Sequence, residues 1–397
     1  MNITLSKKAQ NVSPSITLSI DAKAKQMKAD GINVISFGVG EPDFTTPQNI
    51  KNAAIEAINK GFTTYTPASG LPQLKQAICT KLKADNNLEY KSENIVVSNG
   101  AKHSLYNIFQ AICNPGDEVI VPTPYWVSYP DMVKMADANP IFVDCTEENE
   151  FRIKKGDLLK AITPKTKAII LNSPSNPTGS VYTKSELEEI AKIAIEHNIF
   201  IVADEIYEKL TYEGEKHISI ASINDTIKDL TIVVNGMSKG YAMTGWRIGY
   251  TASHVAIAKA MGNMQSHATS NPNTIAQYAS IEGLTGDQSS VEEMRLAFDE
   301  RRKYMVQRIN EIKGVSCIAP KGAFYVMMNI KKLIGTTIKG VTINGSMDLS
   351  ELLLENANVA VVPGVAFGTD EFVRLSYANS LENIREGLNR IDDILNR

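Results

Sequence analysis

Residues 168–204 run AIILNSPSNPTGSVYTKSELEEIAKIAIEHNIFIVAD, and three segments stand out in them. Ala168 to Leu171 is apolar at every position and too short for a helix. From Glu186 to His197, Leu187, Ile190, Ala191 and Ala194 recur at i, i+3, i+4 and i+7, the spacing of one helical face. Ile199 to Ala203 is again apolar throughout. A strand that is apolar at every residue is buried on both faces, and a helical crossover between two such strands makes them parallel. The stretch therefore predicts an α/β fold around a mainly parallel sheet.

The same alternation extends outward from about Pro47 to Leu284. Further strands are expected at Ile95 to Val97, Glu118 to Val121, Ile232 to Val234 and Arg247 to Tyr250. After about Gln288 the texture changes. A long charged helix from Val291 to Ile312 leads into strands around Ala323 to Met328 and Phe372 to Ser376, then a closing helix from Leu381 to Leu395. Strands and helices no longer alternate there, which suits a smaller α+β domain. A chain of 397 residues exceeds what one compact domain usually holds. The expected division is 47–288 as the large domain, 289–397 as the small domain, and 1–46 as an N-terminal arm and part of the small domain, with a helix from Asp21 to Ala29.

Bulk composition narrows the function classes. Hydrophobic residues make up 43% and charged residues 21%, an ordinary globular balance. Lys and Arg number 41 against 44 Asp and Glu, so the basic excess expected of a nucleic-acid or acidic-membrane binder is missing. The four cysteines, Cys79, Cys113, Cys145 and Cys317, are scattered, and no C-x-x-C occurs. The five histidines are equally dispersed, none at the i, i+4 spacing of a helical metal site, so no metal is expected. No apolar run approaches the roughly 20 residues that span a bilayer, and the opening residues lack the apolar core of a secretion signal. A cytoplasmic protein is expected.

In open α/β sheets ligands sit beyond the carboxyl ends of the strands, so the residues that follow each strand matter most. After Val234 the chain reads NGMSKGYAMTGWRIG over 235–249. A lone lysine is usually a surface charge. Lys239, however, stands beside Ser238 and several glycines, with Arg247 eight residues on. A phosphorylated aldehyde cofactor requires such a set: an amine to form a Schiff base, a hydroxyl and a guanidinium to grip phosphate, and glycines that let the backbone approach.

This stretch resembles, along its whole length, the lysine-attachment signature of the class I and II aminotransferases, which carry pyridoxal 5'-phosphate. The resemblance implies the fold-type I architecture of such enzymes, with a large domain whose mainly parallel sheet is flanked by helices. It also implies roles for other residues. An acid at a strand end often just caps the next helix, but Asp204 matches the aspartate that pairs with the cofactor's pyridine nitrogen. That pairing favours the protonated ring, which then withdraws electrons from the substrate. Tyr207 matches the tyrosine that bonds the cofactor's phenolic oxygen, and Asn176, in Asn176-Pro177-Thr178-Gly179, matches the asparagine that bonds the same atom.

Ser98-Asn99-Gly100-Ala101-Lys102 joins a strand to a helix from about His103 to Ile112. It resembles the family's phosphate cradle, where helix N-terminal amides meet an anion. Trp126 resembles the ring stacked on the cofactor, with core packing as the plainer reading. Gly40, in Gly40-Glu41-Pro42-Asp43-Phe44, resembles the glycine that meets the substrate's α-carboxylate. The nearby G-x-G has no third glycine, so a dinucleotide fingerprint fails. Arg374 stands inside an apolar strand, where a buried guanidinium needs an anion, and it matches the arginine that holds the α-carboxylate. The motifs run in family order from Gly40 to Tyr377.

Within the family the sequence is most similar to the bacterial-type, subgroup I-beta aspartate aminotransferases. That resemblance implies transamination between L-aspartate and 2-oxoglutarate, with Lys239 as Schiff-base lysine and proton shuttle. Lys102 matches the lysine for the substrate's distal carboxylate, and it is otherwise an ordinary helix-start lysine. Some relatives also accept prephenate and carry a basic residue before the proline of the arm, where this chain has Ser13 before Pro14. A broader range including aromatic amino acids stays open, as does a β-lyase on the same scaffold. Tyr65 resembles the tyrosine that reaches the partner's cofactor phosphate, which implies a homodimer with shared active sites.

Overall fold

The structure is a computed structural model that describes residues 3–12 and 16–396. Ser13 and Pro14, the pair that bears on prephenate, lie outside the described residues.

A seven-stranded sheet forms the centre. Its spatial order is Ile95–Ser98, Gly249–Ala252, Thr231–Gly236, Phe200–Asp204, Thr166–Asn172, Glu118–Thr123 and Asn139–Asp144. All run parallel except Gly249–Ala252, which is antiparallel to both of its neighbours. The uniformly apolar strands are covered on both sides. Ile169, Leu171, Ile201 and Ala203 face the helix Lys184–His197 through its Leu187, Ile190, Ala191 and Ala194. Ala168, Ile170 and Val202 face the opposite layer, where Leu105, Ile108 and Phe109 of the helix Ala101–Ile112 pack. The period-two alternation thus feeds two cores, and Ala168 to Leu171 and Ile201 to Ala203 are buried at every position. The crossover helix is delimited by local chemistry: Thr183 and Glu186 form a capping box at its start. Asn198 ends it in the left-handed region at φ 52°.

A second, antiparallel sheet joins Val362–Pro363, Phe372–Ser376 and Tyr325–Asn329, with Ser376 opposite Tyr325 and Arg374 opposite Met327. The helices Ser289–Glu311 and Leu381–Asn396 cover it around Phe298, Met305, Phe324, Val326, Leu375 and Leu388. Residues ahead of the large sheet join this part of the molecule, since Ile35–Ser36 pairs in parallel with Val359–Ala360.

Several expected boundaries shift. The N-terminal helix is Ile16–Ala29, longer than the span from Asp21. The helix expected from His103 begins at Ala101. Arg247 does not open a strand: it takes φ 56°, just after the turn Thr244–Trp246, and the strand is Gly249–Ala252. Gly249 fits there because a Cβ would lie 2.2 Å from the Ala101 amide nitrogen. The edge strand Asn139–Asp144 had no sequence expectation. It contains Pro140 and half of its residues are exposed, as edge strands tolerate.

No helix among the described residues is long and apolar enough to cross a membrane. The parallel strands end at Ser98, Thr123, Asp144, Asn172, Asp204 and Gly236, all along one edge of the sheet.

Candidate active site

Beyond those strand ends lies a cavity of about 550 Å³. Gly40, Ala101, Lys102, Trp126, Asn176, Asp204, Tyr207, Ser238, Lys239, Arg247 and Arg374 all line it. Two sequence-derived candidates do not. Gly100 sits just behind the wall at φ 89°, where a Cβ would lie 2.2 Å from Arg247 Nη2, so only glycine lets that guanidinium rest on the backbone. Tyr65 is 88% exposed on the surface, outside this chain's cavity.

Asp204 ends its strand and is buried. Tyr129 donates to its Oδ2 at 2.7 Å, and the Ile206 amide donates to Oδ1 at 3.3 Å. Burial pushes the carboxyl up to about 6, against the downward pull of those two hydrogen bonds. Asn172 fixes the neighbouring backbone, its Nδ2 donating to the Asp204 carbonyl at 2.9 Å and its Oδ1 accepting from the Asn176 amide at 2.8 Å.

Lys239 donates through Nζ to the Gly40 carbonyl. Burial brings its amine down to about 8, with the nearby Glu41 carboxylate opposing that shift. Lys102 is likewise lowered, by burial and then by the Arg247 charge, and its Nζ sits 4.9 Å from the Trp126 ring centroid. Trp126 meets the Tyr129 ring edge-on at 5.3 Å. Arg247 donates to the carbonyl of Thr244 at 2.7 Å.

Arg374 is 4% exposed, yet among the described residues no carboxylate lies within ion-pair distance of it. Its Nη1 donates to Asn176 Oδ1 and its Nη2 to the Gly38 carbonyl, both at 2.9 Å, while Nε has no partner. Burial holds its pKa below the usual guanidinium range. Around the cavity, five cationic side chains (Lys25, Lys102, Lys239, Arg247 and Arg374) face two carboxylates, Glu41 and Asp204. A half-enclosed space with that surplus attracts anions.

Three residues had no assigned role from sequence. Asn172 follows directly from its place at a strand end. Tyr129 and Tyr325 belong to no motif that carries a role, and their partners, Asp204 and Tyr207, are distant in the chain. Elsewhere, Glu205, Glu208 and His217 bring ligand-type atoms within 4.8 Å of one another, with the Lys81 ammonium against Glu208 as the local positive charge.

Known proteins share both sequence and architecture with this chain. Residues 32–391 match the family described as Aminotransferase class I and II. The chain is 52% identical over 395 residues to the aspartate aminotransferase of Bacillus sp. (strain YM-2), a match that covers 99% of each sequence. It superposes on the aspartate aminotransferase from Rhizobium meliloti with a TM-score of 0.97 at 40% identity, covering all of both chains. The aspartate aminotransferase from Thermus thermophilus with maleate gives 0.93 at 41% identity, over 99% of this chain and 100% of that one. With a family match of this extent lying over the cavity just described, the chain belongs to the class I and II aminotransferases.

Proposed function

We propose that this enzyme moves the amino group of L-aspartate to 2-oxoglutarate, giving oxaloacetate and L-glutamate. The observation that carries the reading is Arg374, a buried guanidinium with neutral partners only, in the same cavity as the Lys239 amine and the Lys102 ammonium. A buried cation in that state is completed by an anionic ligand, and a dicarboxylic amino acid supplies one anion for Arg374 and another for Lys102.

Pyridoxal 5'-phosphate is the cofactor of this family, and the residues present fit it. Gly100 lets the Arg247 guanidinium lie against the backbone, and Gly249 lets its strand come close to the Ala101 amide, with the buried Ser238 lining the same cavity. These groups form a phosphate-binding set at a helix N-terminus. When bound, the cofactor supplies an aldehyde for Lys239 and a ring that draws electrons from the substrate α-carbon.

The chain's own groups do the rest. Asp204, held by Tyr129, keeps a proton on the ring nitrogen. Asn176 turns its Oδ1 to Arg374, which leaves Nδ2 to donate to the phenolic oxygen beside Tyr207. Trp126 covers the ring face. Arg374 grips the α-carboxylate, next to the Gly40 backbone. Lys239, its amine lowered to about 8, is a competent base near neutral pH and carries the proton from the substrate Cα.

The same reading gives a cytoplasmic homodimer with shared active sites. Tyr65 fits it, since its side chain is 88% exposed and outside this chain's own cavity, open to a second copy. The division at 47–288 and 289–397, with 1–46 completing the smaller part, is supported by the pairing of Ile35–Ser36 with Val359–Ala360.

The test is incubation of the holoenzyme with L-aspartate and 2-oxoglutarate. Oxaloacetate and glutamate in equal amounts support the reading. Ammonia without glutamate would replace it by elimination. Rates across aromatic amino acids and prephenate then set the breadth.

A further inference from the structure

Tyr325 has no role in that scheme, yet it touches both halves of it. It is fully buried on the strand Tyr325–Asn329, opposite Ser376 and therefore diagonal to Arg374 on the neighbouring strand. The Arg374 guanidinium lies 4.4 Å from the centroid of its ring. Its hydroxyl is 3.0 Å from the Tyr207 hydroxyl. A Cβ on Gly40 would come within 3.3 Å of the same oxygen. Tyr207 belongs to the loop that follows the strand Phe200–Asp204 of the large sheet and Tyr325 to the antiparallel sheet, so this hydrogen bond links the two sheets.

We propose that Tyr325 is a positioning residue whose ring orients the Arg374 guanidinium and whose hydroxyl donates to Tyr207, turning the Tyr207 proton into the cavity. The inference rests on the reading of Arg374 and Tyr207 given under Proposed function. The direction of donation follows from the surroundings. Burial raises both phenols and Arg374 opposes the rise at both, but at Tyr325, against whose ring the guanidinium lies, it is the largest influence after burial, while at Tyr207 the neighbouring Tyr325 adds to the rise and outweighs it. The more acidic phenol is the better donor. An aromatic face under a desolvated guanidinium also stabilises that cation without neutralising it, so Arg374 keeps its charge for the ligand.

The test compares holoenzymes of wild type, Tyr325→Phe and Tyr325→Leu by two readouts: the dissociation constant of succinate, an unreactive dicarboxylate, and the pH midpoint of the bound cofactor's absorbance. Tyr325→Phe keeps the ring, so succinate affinity stays within about twofold. The midpoint rises by about 0.7 pH unit, because a weakened donor at Tyr207 disfavours the deprotonated phenolic oxygen. Tyr325→Leu removes the ring and weakens succinate about tenfold. Wild-type values in both variants overturn the proposal. If Tyr325→Leu fails to retain cofactor, Tyr325→Phe is repeated in a Tyr207→Phe background. Loss of the shift there supports the link, and an equal shift in both backgrounds overturns it. A wild-type enzyme that ignores succinate strikes the dicarboxylate reading instead, and the hydroxyl arm still decides the role of Tyr325.

Discussion

Tyr129 donates a 2.7 Å hydrogen bond to Oδ2 of Asp204, and both side chains are buried. This bond opposes the desolvation that otherwise neutralises the carboxyl. Tyr129→Phe removes the donor and leaves the ring. Asp204 then rises further, and the charged partner proposed for the cofactor's ring nitrogen weakens. Affinity for pyridoxal phosphate is expected to fall about fivefold to tenfold, the worth of one hydrogen bond to a charged group. Equilibrium titration of the apoenzyme measures it, and unchanged affinity would separate Tyr129 from the site.

Lys239 gives a pH dependence of its own. Its amine is lowered to about 8, mainly by burial, and only the unprotonated form attacks an aldehyde. The rate at which apoenzyme recombines with pyridoxal phosphate is expected to rise with pH and level off above about 8. A midpoint near the ordinary lysine value of about 10.4 would contradict the desolvation.

On the proposed reading, Arg374 and Lys102 divide the substrate between them. Arg374→Ala is expected to lower kcat/KM for every amino donor about a hundredfold, the cost of a buried charge-assisted pair, with Arg374→Lys only partly better. Lys102→Ala should reduce kcat/KM for aspartate about tenfold while a monocarboxylate donor changes little. Equal losses for both donors would remove Lys102 from distal-carboxylate recognition.

Much of this was legible in the sequence because burial on two faces leaves an unmistakable pattern. Ile232 to Val234 and Ile199 to Ala203 read as central strands, and the cavity-lining residues Ser238, Lys239 and Asp204 follow or end them. The edge strand Asn139–Asp144 was silent, since one side of it meets solvent and Phe142 is 48% exposed. The pairing of Tyr129 with Asp204, and of Tyr325 with Tyr207 and Arg374, depends on strand order and register. A tyrosine inside an apolar run reads as core, and only the fold reveals what its hydroxyl meets.

Stability should respond to acid through Glu208. Burial pushes this carboxyl up, but the Lys81 ammonium, His217 and the Asn86 amide outweigh it and bring the group down to about 2. A carboxyl depressed in the folded state stabilises the protein above its unfolded pKa, and that contribution is lost as pH falls from about 4.5 towards 2. Lys81→Met leaves the charge of Glu208 buried and is expected to cost about 3–5 kcal/mol at neutral pH. Denaturant unfolding at several pH values checks it: the deficit should shrink in acid, and a pH-independent deficit would point to packing alone.

On the proposed reading Lys239 is the centre of the chemistry, as both the cofactor's attachment point and the carrier of the α-proton. The most direct measurement is steady-state turnover of L-aspartate with 2-oxoglutarate by wild type and by Lys239→Ala, each saturated with pyridoxal phosphate. Wild type should release oxaloacetate and glutamate together, while Lys239→Ala should give no turnover above background. A Lys239→Ala enzyme that retained the wild-type rate would contradict the assignment.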